Sequence, residues 1–271
     1  MVMIDHICIH NIQILYYMYT REERHNYIKE QLTKRSVLRV DDAARELGVT
    51  EATIRRDFTF LESQHALIRN HGSASPVSFN AIDVPVQRKA LLHSEEKMRI
   101  ARAAAELIEE NDTIIITSGS TIESLAHVLK PKGYLNVITS SIRIGMILSE
   151  KENVNIFMLG GELVKNSLSV RDAYAIEGLK NVHATKLFFG CDGLDLEAGV
   201  TMAFIQEARM HNVMMGISSQ HILLTDSSKL GKKGIGLICG VCDLDTIITD
   251  KNCAEDFVDK TLKCGVNVIT V

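Results

Sequence analysis

The 271-residue sequence predicts two units: an N-terminal winged helix-turn-helix, all-α apart from its wing, and a larger C-terminal α/β unit with a mostly parallel sheet. Three observations carry that reading. Between Arg21 and Gly72, short amphipathic helices meet across Gly48 and give way to an extended piece that ends in a glycine. From Ile114 onward, short apolar runs alternate with helix-length segments. Between the two lies a polar-to-mixed stretch with turn residues, Pro76 to Pro85. The expected organisation is an atypical extension at 1–17, the helix-turn-helix at 18–76, a linker at 77–94 and the α/β unit at 95–271.

In the head, Ile28 and Leu32 sit four apart and give one apolar stripe through a charged segment. Ser36–Val40 reads as a short extended piece. Asp41 is expected to cap a second helix, with Ala44 and Leu47 facing inward and Gly48 ending it where a left-handed residue is wanted. Thr50 is expected to cap a third helix, whose Ile54, Phe58 and Leu61 form the buried stripe at i, i+4 and i+7. Thr53, Arg55, Arg56 and Thr59 are left outside that stripe. A helix pinned by its apolar side, with short polar and guanidinium groups projecting, is what major-groove reading needs. Arginine grips phosphate or pairs bidentately with guanine. Leu67–Gly72 follows as a hairpin-like wing, with Arg69 and His71 placed to touch the DNA backbone. The candidate DNA-binding residues are therefore Thr50, Thr53, Arg55, Arg56, Thr59, Arg69 and His71, and double-stranded operator DNA is the expected partner.

Arg21–Ala74 resembles the DNA-binding head of the DeoR family of sugar-operon regulators. The residues that carry the likeness are Val40-Asp-Asp-Ala-Ala-Arg-Glu-Leu-Gly-Val49, Thr53-Ile-Arg-Arg-Asp57, Leu61-Glu62 and Arg69-Asn-His-Gly72. Phe58 stands where leucine is usual, and Ser73 replaces a second glycine of the wing.

In the body, Ser94 is expected to open a helix running to about Glu110, with Ile100, Ala104, Leu107 and Ile108 on its buried side. The apolar runs Ile114–Ile116, Val137–Ile138, Ile156–Leu159, Leu187–Phe189, Ile222–Leu224, Ile247–Ile248 and Val268–Ile269 then read as strands buried on both faces. In parallel sheets ligands collect at the carboxyl ends of strands. Five of those ends carry small, hydroxyl or charged residues: Thr117–Thr121, Thr139–Ser141, Gly160–Glu162, Gly190–Gly193 and Thr225–Lys229. Ser118, Gly119, Ser120 and Thr121 precede a helix and are suited to cradle a phosphate at its N-terminus. Lys229 suits phosphate charge, and Asp192 and Asp226 suit sugar hydroxyls. With Ser140, Gly160, Gly161 and Glu162 these make the candidate effector site, although Gly, Ser and Asp are also ordinary turn residues.

This half is similar to the sensor domain of the same family over roughly Glu95–Leu230. The matching pieces are Glu96-Lys97, Ser118–Thr121, Leu159–Glu162, Asp192-Gly193 with Gly199–Thr201, Glu207-Ala208 and Asp226–Lys229. Thr117 stands where the family commonly has Asp, and His211 where Lys is usual. The resemblance implies a fold related to ribose-5-phosphate isomerase, a phosphorylated sugar as effector, and a homo-oligomer. An isomerase-like enzyme is the alternative, since Asp192-Gly-Leu-Asp195 is similar to that enzyme's paired-Asp motif. The Lys- and Gly-rich stretch that follows it there is replaced here by Leu196–Thr201, and the expectation is no catalysis. A regulator with a non-functional sensor is the third reading.

The bulk numbers fit. A composition of 46% hydrophobic and 24% charged residues with 3 Pro describes an ordinary globular protein. The net charge of −4 does not announce a nucleic-acid binder, but it is unevenly spread: Met18–Pro76 carries 10 Lys/Arg against 9 Asp/Glu, and Val77–Val271 carries 20 against 24. The 6 cysteines are expected to be reduced thiols of a cytoplasmic protein. The lone Cys239-Gly-Val-Cys242 lacks a second ligand pair, so no metal and no cofactor are expected. Residues 1–17 show neither a basic n-region nor an unbroken apolar stretch, so neither signal peptide nor membrane anchor is expected, and translation is expected to start at Met18.

Overall fold

The computed structural model describes residues 19–35, 37–64, 66–70, 72–76, 85–171 and 173–271. The reading of 1–17 as an extension lies outside them, as do His71 and residues 77–84 of the expected linker. The chain divides into two compact units, Met1–Ser78 and Phe79–Val271.

In the head, α1 (Arg21–Lys34) opens on a capping box: the Thr20 hydroxyl accepts from the Glu23 N–H, and the Glu23 carboxylate accepts from the Thr20 N–H at 2.8 Å. β1 (Leu38–Arg39) leads into α2 (Val40–Leu47), which ends at Gly48 with φ +64°. α2 begins one residue before the expected cap. Asp41 lies in its first turn, held by the Arg39 guanidinium at 3.0 Å, and caps nothing. α3 (Glu51–Ser63) starts as expected on Thr50, whose hydroxyl accepts from the Thr53 N–H. β2 (Leu67–Asn70) and β3 (Ser73–Pro76) form the wing, in a sheet ordered β1-β3-β2 with antiparallel pairs. Ile28, Leu32, Leu38, Leu47, Ile54, Phe58, Leu61 and Leu67 form one core. Each of the larger side chains contributes about 1.5–3 kcal/mol by leaving water.

In the body, helices α4 (Val86–Leu91) and α5 (Ser94–Glu106) come first. α4 lies in a stretch expected to be linker; at six residues it shows no readable apolar period. α5 stops short of Glu110 because the chain turns at Asn111 (φ +64°) and the Asp112 carboxylate accepts from the Glu109 N–H at 2.8 Å. There follow β4 (Thr113–Ile116), α6 (Ser120–Val128), β5 (Leu135–Thr139), α7 (Ile142–Ser149) and β6 (Val154–Met158). A hairpin, β7 (Glu162–Val164) and β8 (Ser169–Arg171), precedes α8 (Ala173–Glu177) and β9 (Ala184–Phe189). Then come β10 (Gly193–Asp195), β11 (Gly199–Met202), α9 (Ile205–Gly216), β12 (Ser218–Leu224), β13 (Gly236–Cys239), β14 (Thr246–Thr249), α10 (Glu255–Lys263) and β15 (Asn267–Thr270).

The seven apolar runs read from the sequence become one seven-stranded sheet, ordered β15-β14-β12-β9-β4-β5-β6, and every pair in it is parallel. Its central strands are apolar on both faces because both are covered. The expected two-sided burial fails at the edge strands, where β6 leaves Phe157 and Met158 exposed and β15 is only partly covered, because an edge has a neighbour on one side only. Ile114 and Ile116 join the cluster with Ile100 and Leu125, while Ile115 joins the opposite one with Leu187 and Met214. A smaller antiparallel sheet, β10-β11-β13, was not legible in the sequence. It depends on Gly199, with φ +78°, where a Cβ would stand 2.3 Å from the Cys239 carbonyl oxygen.

The expectation of reduced thiols holds at Cys191, Cys239 and Cys253 and is corrected at Cys242, which is joined to Cys264 with 5.2 Å between their Cα atoms. Cys242 precedes β14 and Cys264 precedes β15; these strands pair in parallel, so their starts lie side by side. Among the described residues no helix is long and apolar enough to cross a membrane, and no cluster of His, Cys, Asp and Glu could hold a metal.

Candidate functional site

Two surfaces bear on function, one in each unit. In the head, α3 presents the residues that its buried stripe leaves outside. Arg55 and Arg56 are exposed; Arg55 forms an i,i+4 pair with Glu51 at 2.8 Å, while Arg56 has no ion-pair partner among the described residues. Thr50 and Thr53 are joined by their hydroxyls at 3.0 Å. Thr59 donates to the Arg55 carbonyl at 2.7 Å and accepts from the Arg69 guanidinium at 2.6 Å, so it bridges the helix to the wing. Arg69 is held again by Glu62, which accepts its N–H at 3.2 Å. Six of the seven expected DNA-binding residues thus lie on α3, its cap or the wing, and His71 lies outside the described residues.

Asp57, on the opposite side of α3, is buried and had no role assigned from the sequence. It accepts from the Arg24 guanidinium at 2.7 and 3.2 Å and faces the His25 ring nitrogen at 3.1 Å. The Arg24 guanidinium is held above its ordinary range by the hydrogen bond to Asp57. The His25 ring in turn stacks on Phe60 with 4.9 Å between centroids. α1 is thereby fixed to α3 by a charge pair as well as by apolar packing.

In the body, sheet order decides which strand ends meet. The chain runs outward from β4 through β5 to β6 on one side and from β9 through β12 to β14 on the other. The switch point therefore lies between β4 and β9, and in such sheets the crevice outside those carboxyl ends is where ligands sit. A cleft occurs there. Ser118, Gly119, Ser120 and Thr121 after β4, Asp192 after β9, and Asp226 and Lys229 after β12 all line it. Neighbouring strands are about 4.8 Å apart, so the ends of β5 and β6 fall progressively further away. Ser140 is fully buried, and its hydroxyl makes no hydrogen bond among the described residues. Gly160 lines a different cavity, beside Ile138 and Phe157, and Gly161 and Glu162 lie outside the cleft. The expected effector set is thus only partly brought together.

The cleft also contains residues that the sequence reading missed. Lys89 of α4 donates to Asp192 at 2.8 Å, and Val86, Asn166 and Phe204 also line the walls. No motif marks Lys89, which lies in a short helix 103 residues from its partner. Burial pushes the Asp192 carboxyl up, but the charge and hydrogen bond of Lys89, together with Lys229, more than offset this and hold it below the usual carboxylate range. Its other oxygen accepts from the Ala203 N–H at 3.0 Å. Lys229 is shifted down, first by burial and then by the charge of Lys89, against the pull of Asp192 and Asp226. Behind the cleft, Lys97 of α5 is buried 3.8 Å from Asp226 and is pushed down to about 8 by burial, which the Asp226 charge only partly opposes. Asp226 is itself fixed, accepting from the Ser228 N–H at 3.1 Å. Cations, oriented carboxylates and the N-terminus of α6, whose cap Gly119 has φ +130°, therefore converge at one switch point.

Residues 24–78 match the DeoR-like helix-turn-helix domain, and residues 92–251 match the DeoR C-terminal sensor domain. The class is that of DNA-binding transcription regulators with a winged head and an α/β sensor. The chain belongs to the DeoR family. It is 36% identical over 239 residues to the lactose phosphotransferase system repressor of Streptococcus mutans, covering 87% of this chain and 94% of that one. It is 31% identical to the HTH-type transcriptional repressor GlcR of Bacillus subtilis, over 92% of this chain and 96% of that one. Among solved structures, a D-ribose-5-phosphate isomerase in complex with phospho-erythronic acid aligns with a TM-score of 0.37 at 16% identity over 51% of this chain and 54% of that one, a likeness too slight to bear on function.

Proposed function

We propose that this protein represses a carbohydrate-use operon in the cytoplasm and that a phosphorylated sugar relieves the repression. The observation that carries the reading is the placement at the β4/β9 switch point of two lysines, the α6 N-terminus and the fixed carboxylates Asp192 and Asp226, in a chain whose other unit is a winged helix-turn-helix. The lysines and the helix end suit a phosphoryl group, and the carboxylates suit hydroxyls. The names of the two relatives, a lactose phosphotransferase system repressor and a transcriptional repressor, support the same reading.

The head, residues 18–76, presents α3 to the major groove, and a homo-oligomer sets two such helices on operator half-sites. The body, residues 95–271, senses the effector without transforming it. Both oxygens of Asp192 are engaged, by Lys89 and by the Ala203 N–H, which suits a hydrogen-bond acceptor better than a proton shuttle.

Fluorescence anisotropy on DNA from upstream of the protein's own transcription unit, with and without a panel of pentose and hexose phosphates, tests both halves. Salt-sensitive binding that one phosphate selectively weakens is the expected result. Binding that no phosphate changes would remove the sensing half, and no binding above the non-specific level would remove the regulatory reading.

A further inference from the structure

The first element of the body, α4, is tied down at three points to three different places. At its start the Val86 N–H donates to the Asn166 carbonyl, in the β7–β8 hairpin, at 2.8 Å. At its end the Lys97 ammonium of α5 donates to the carbonyls of Lys89, at 3.0 Å, and Leu92. Between these the Lys89 side chain crosses to Asp192, after β9, at 2.8 Å. The first two ties are to backbone carbonyls. The third is a bridge between charges, and it lies in the cleft wall itself.

Resting on the reading of that cleft as an anion site, we propose that Lys89 is an effector-binding residue supplied by α4, and that its exchange between Asp192 and the phosphoryl group of the effector is what carries occupancy of the cleft to the DNA-reading head. An ammonium has three donors, and Lys89 spends one on Asp192. Its side chain is 29% exposed, so it is reachable from the cleft without unfolding anything. A phosphoryl dianion beside Lys229 and the α6 N-terminus offers Lys89 more charge than one carboxylate does. The Lys89 carbonyl is gripped by Lys97 from behind, so a change of partner at the ammonium end is borne by the helix. Only eight residues, Val77–Val84, separate Pro85 at the start of α4 from Pro76 at the end of the wing. A shift in α4 is therefore delivered into a short connector.

The test uses the full chain and inorganic phosphate as probe, read by calorimetric binding and by hydrogen exchange of the α4 amides. In the wild type, phosphate binds and alters exchange in α4. Lys229→Met and Lys89→Met are each expected to weaken phosphate binding about tenfold, the worth of one charge-assisted hydrogen bond. Lys89→Met also abolishes the response of α4, and Lys89→Arg restores it. Asp192→Asn is expected to speed exchange in α4 with no phosphate present. If Lys229→Met weakens binding and Lys89→Met does not, the proposal falls and the cleft reading stands. If neither weakens it, or the wild type does not bind, both fall together.

Discussion

The Arg24 guanidinium closes on the buried Asp57 carboxylate with contacts of 2.7 and 3.2 Å, and so ties the first helix of the head to α3, the helix that carries Arg55 and Arg56. The pair explains why an aspartate can sit inside the apolar stripe of α3. Removing one partner of a buried charge pair strands the other, at a cost of about 3–5 kcal/mol. Asp57→Ala is therefore expected to unfold the head at markedly lower denaturant, while the body's transition stays in place. Circular dichroism with a body-specific probe separates the two transitions, and a single unshifted curve would contradict the assignment.

Operator affinity is expected to fall by about 1–3 kcal/mol in Arg56→Ala if the side chain reads a base, with a smaller loss on scrambled DNA. If it grips phosphate instead, the loss is uniform across sequences and the salt slope drops by about one. Arg55→Ala should behave similarly, because the exposed bond from Arg55 to Glu51 is worth little and is readily given up. Anisotropy titrations at several salt concentrations read these differences, and unchanged binding in both variants would reassign the groove face.

Thr59→Val keeps the shape of the side chain and removes the hydroxyl that joins α3 to Arg69. The expected result is an operator affinity lower by about 1 kcal/mol at nearly unchanged head stability, since both groups are exposed. An equal loss in both measurements would mean that the bridge serves folding rather than the aim of the wing.

Lys97 makes stability depend on pH in a definite direction. Its folded value is pushed down to about 8 from 10.5, by burial first. Between those values the unfolded chain holds a proton that the folded protein has released, so the contribution of Lys97 to stability rises with pH across that window and is flat below it. Cys191 and Cys239, pushed up to about 12 by burial, act in the opposite sense once pH passes their ordinary 9.0. The measurement is therefore the difference in unfolding free energy between wild type and Lys97→Met. It should grow in favour of the wild type as pH climbs above about 8; a flat difference would mean that Lys97 keeps its proton.

Much of this was legible before the structure. Gly48 and Thr50 announce the turn and the cap of the helix-turn-helix because only particular backbone and side-chain chemistry fits there, and both residues do what their types suggest. The apolar runs became parallel strands because burial of the central ones on both faces leaves a composition that a helix of the same length does not need. The edge strand β6 has the same composition but leaves Phe157 and Met158 exposed, which the sequence does not reveal. What periodicity cannot give is order. Five strand ends looked alike, and only the sequence β12-β9-β4 decides that three of them share a cleft while Ser140 and Gly160 do not. Lys89 and Asp57 were missed for a related reason: each is a lone charged residue whose meaning lies in a partner that is 103 or 33 residues away.

The pairing of β4 with β9 also orders events at the ribosome. Ile115 faces Leu187 across the centre of the sheet, so that contact waits until more than seventy further residues have been made. The contacts of the head are complete once Pro76 has emerged. A half-made chain therefore already holds every contact of the helix-turn-helix core while the sheet of the body has no centre, and a product truncated before β9 keeps the former and lacks the cleft at the switch point altogether.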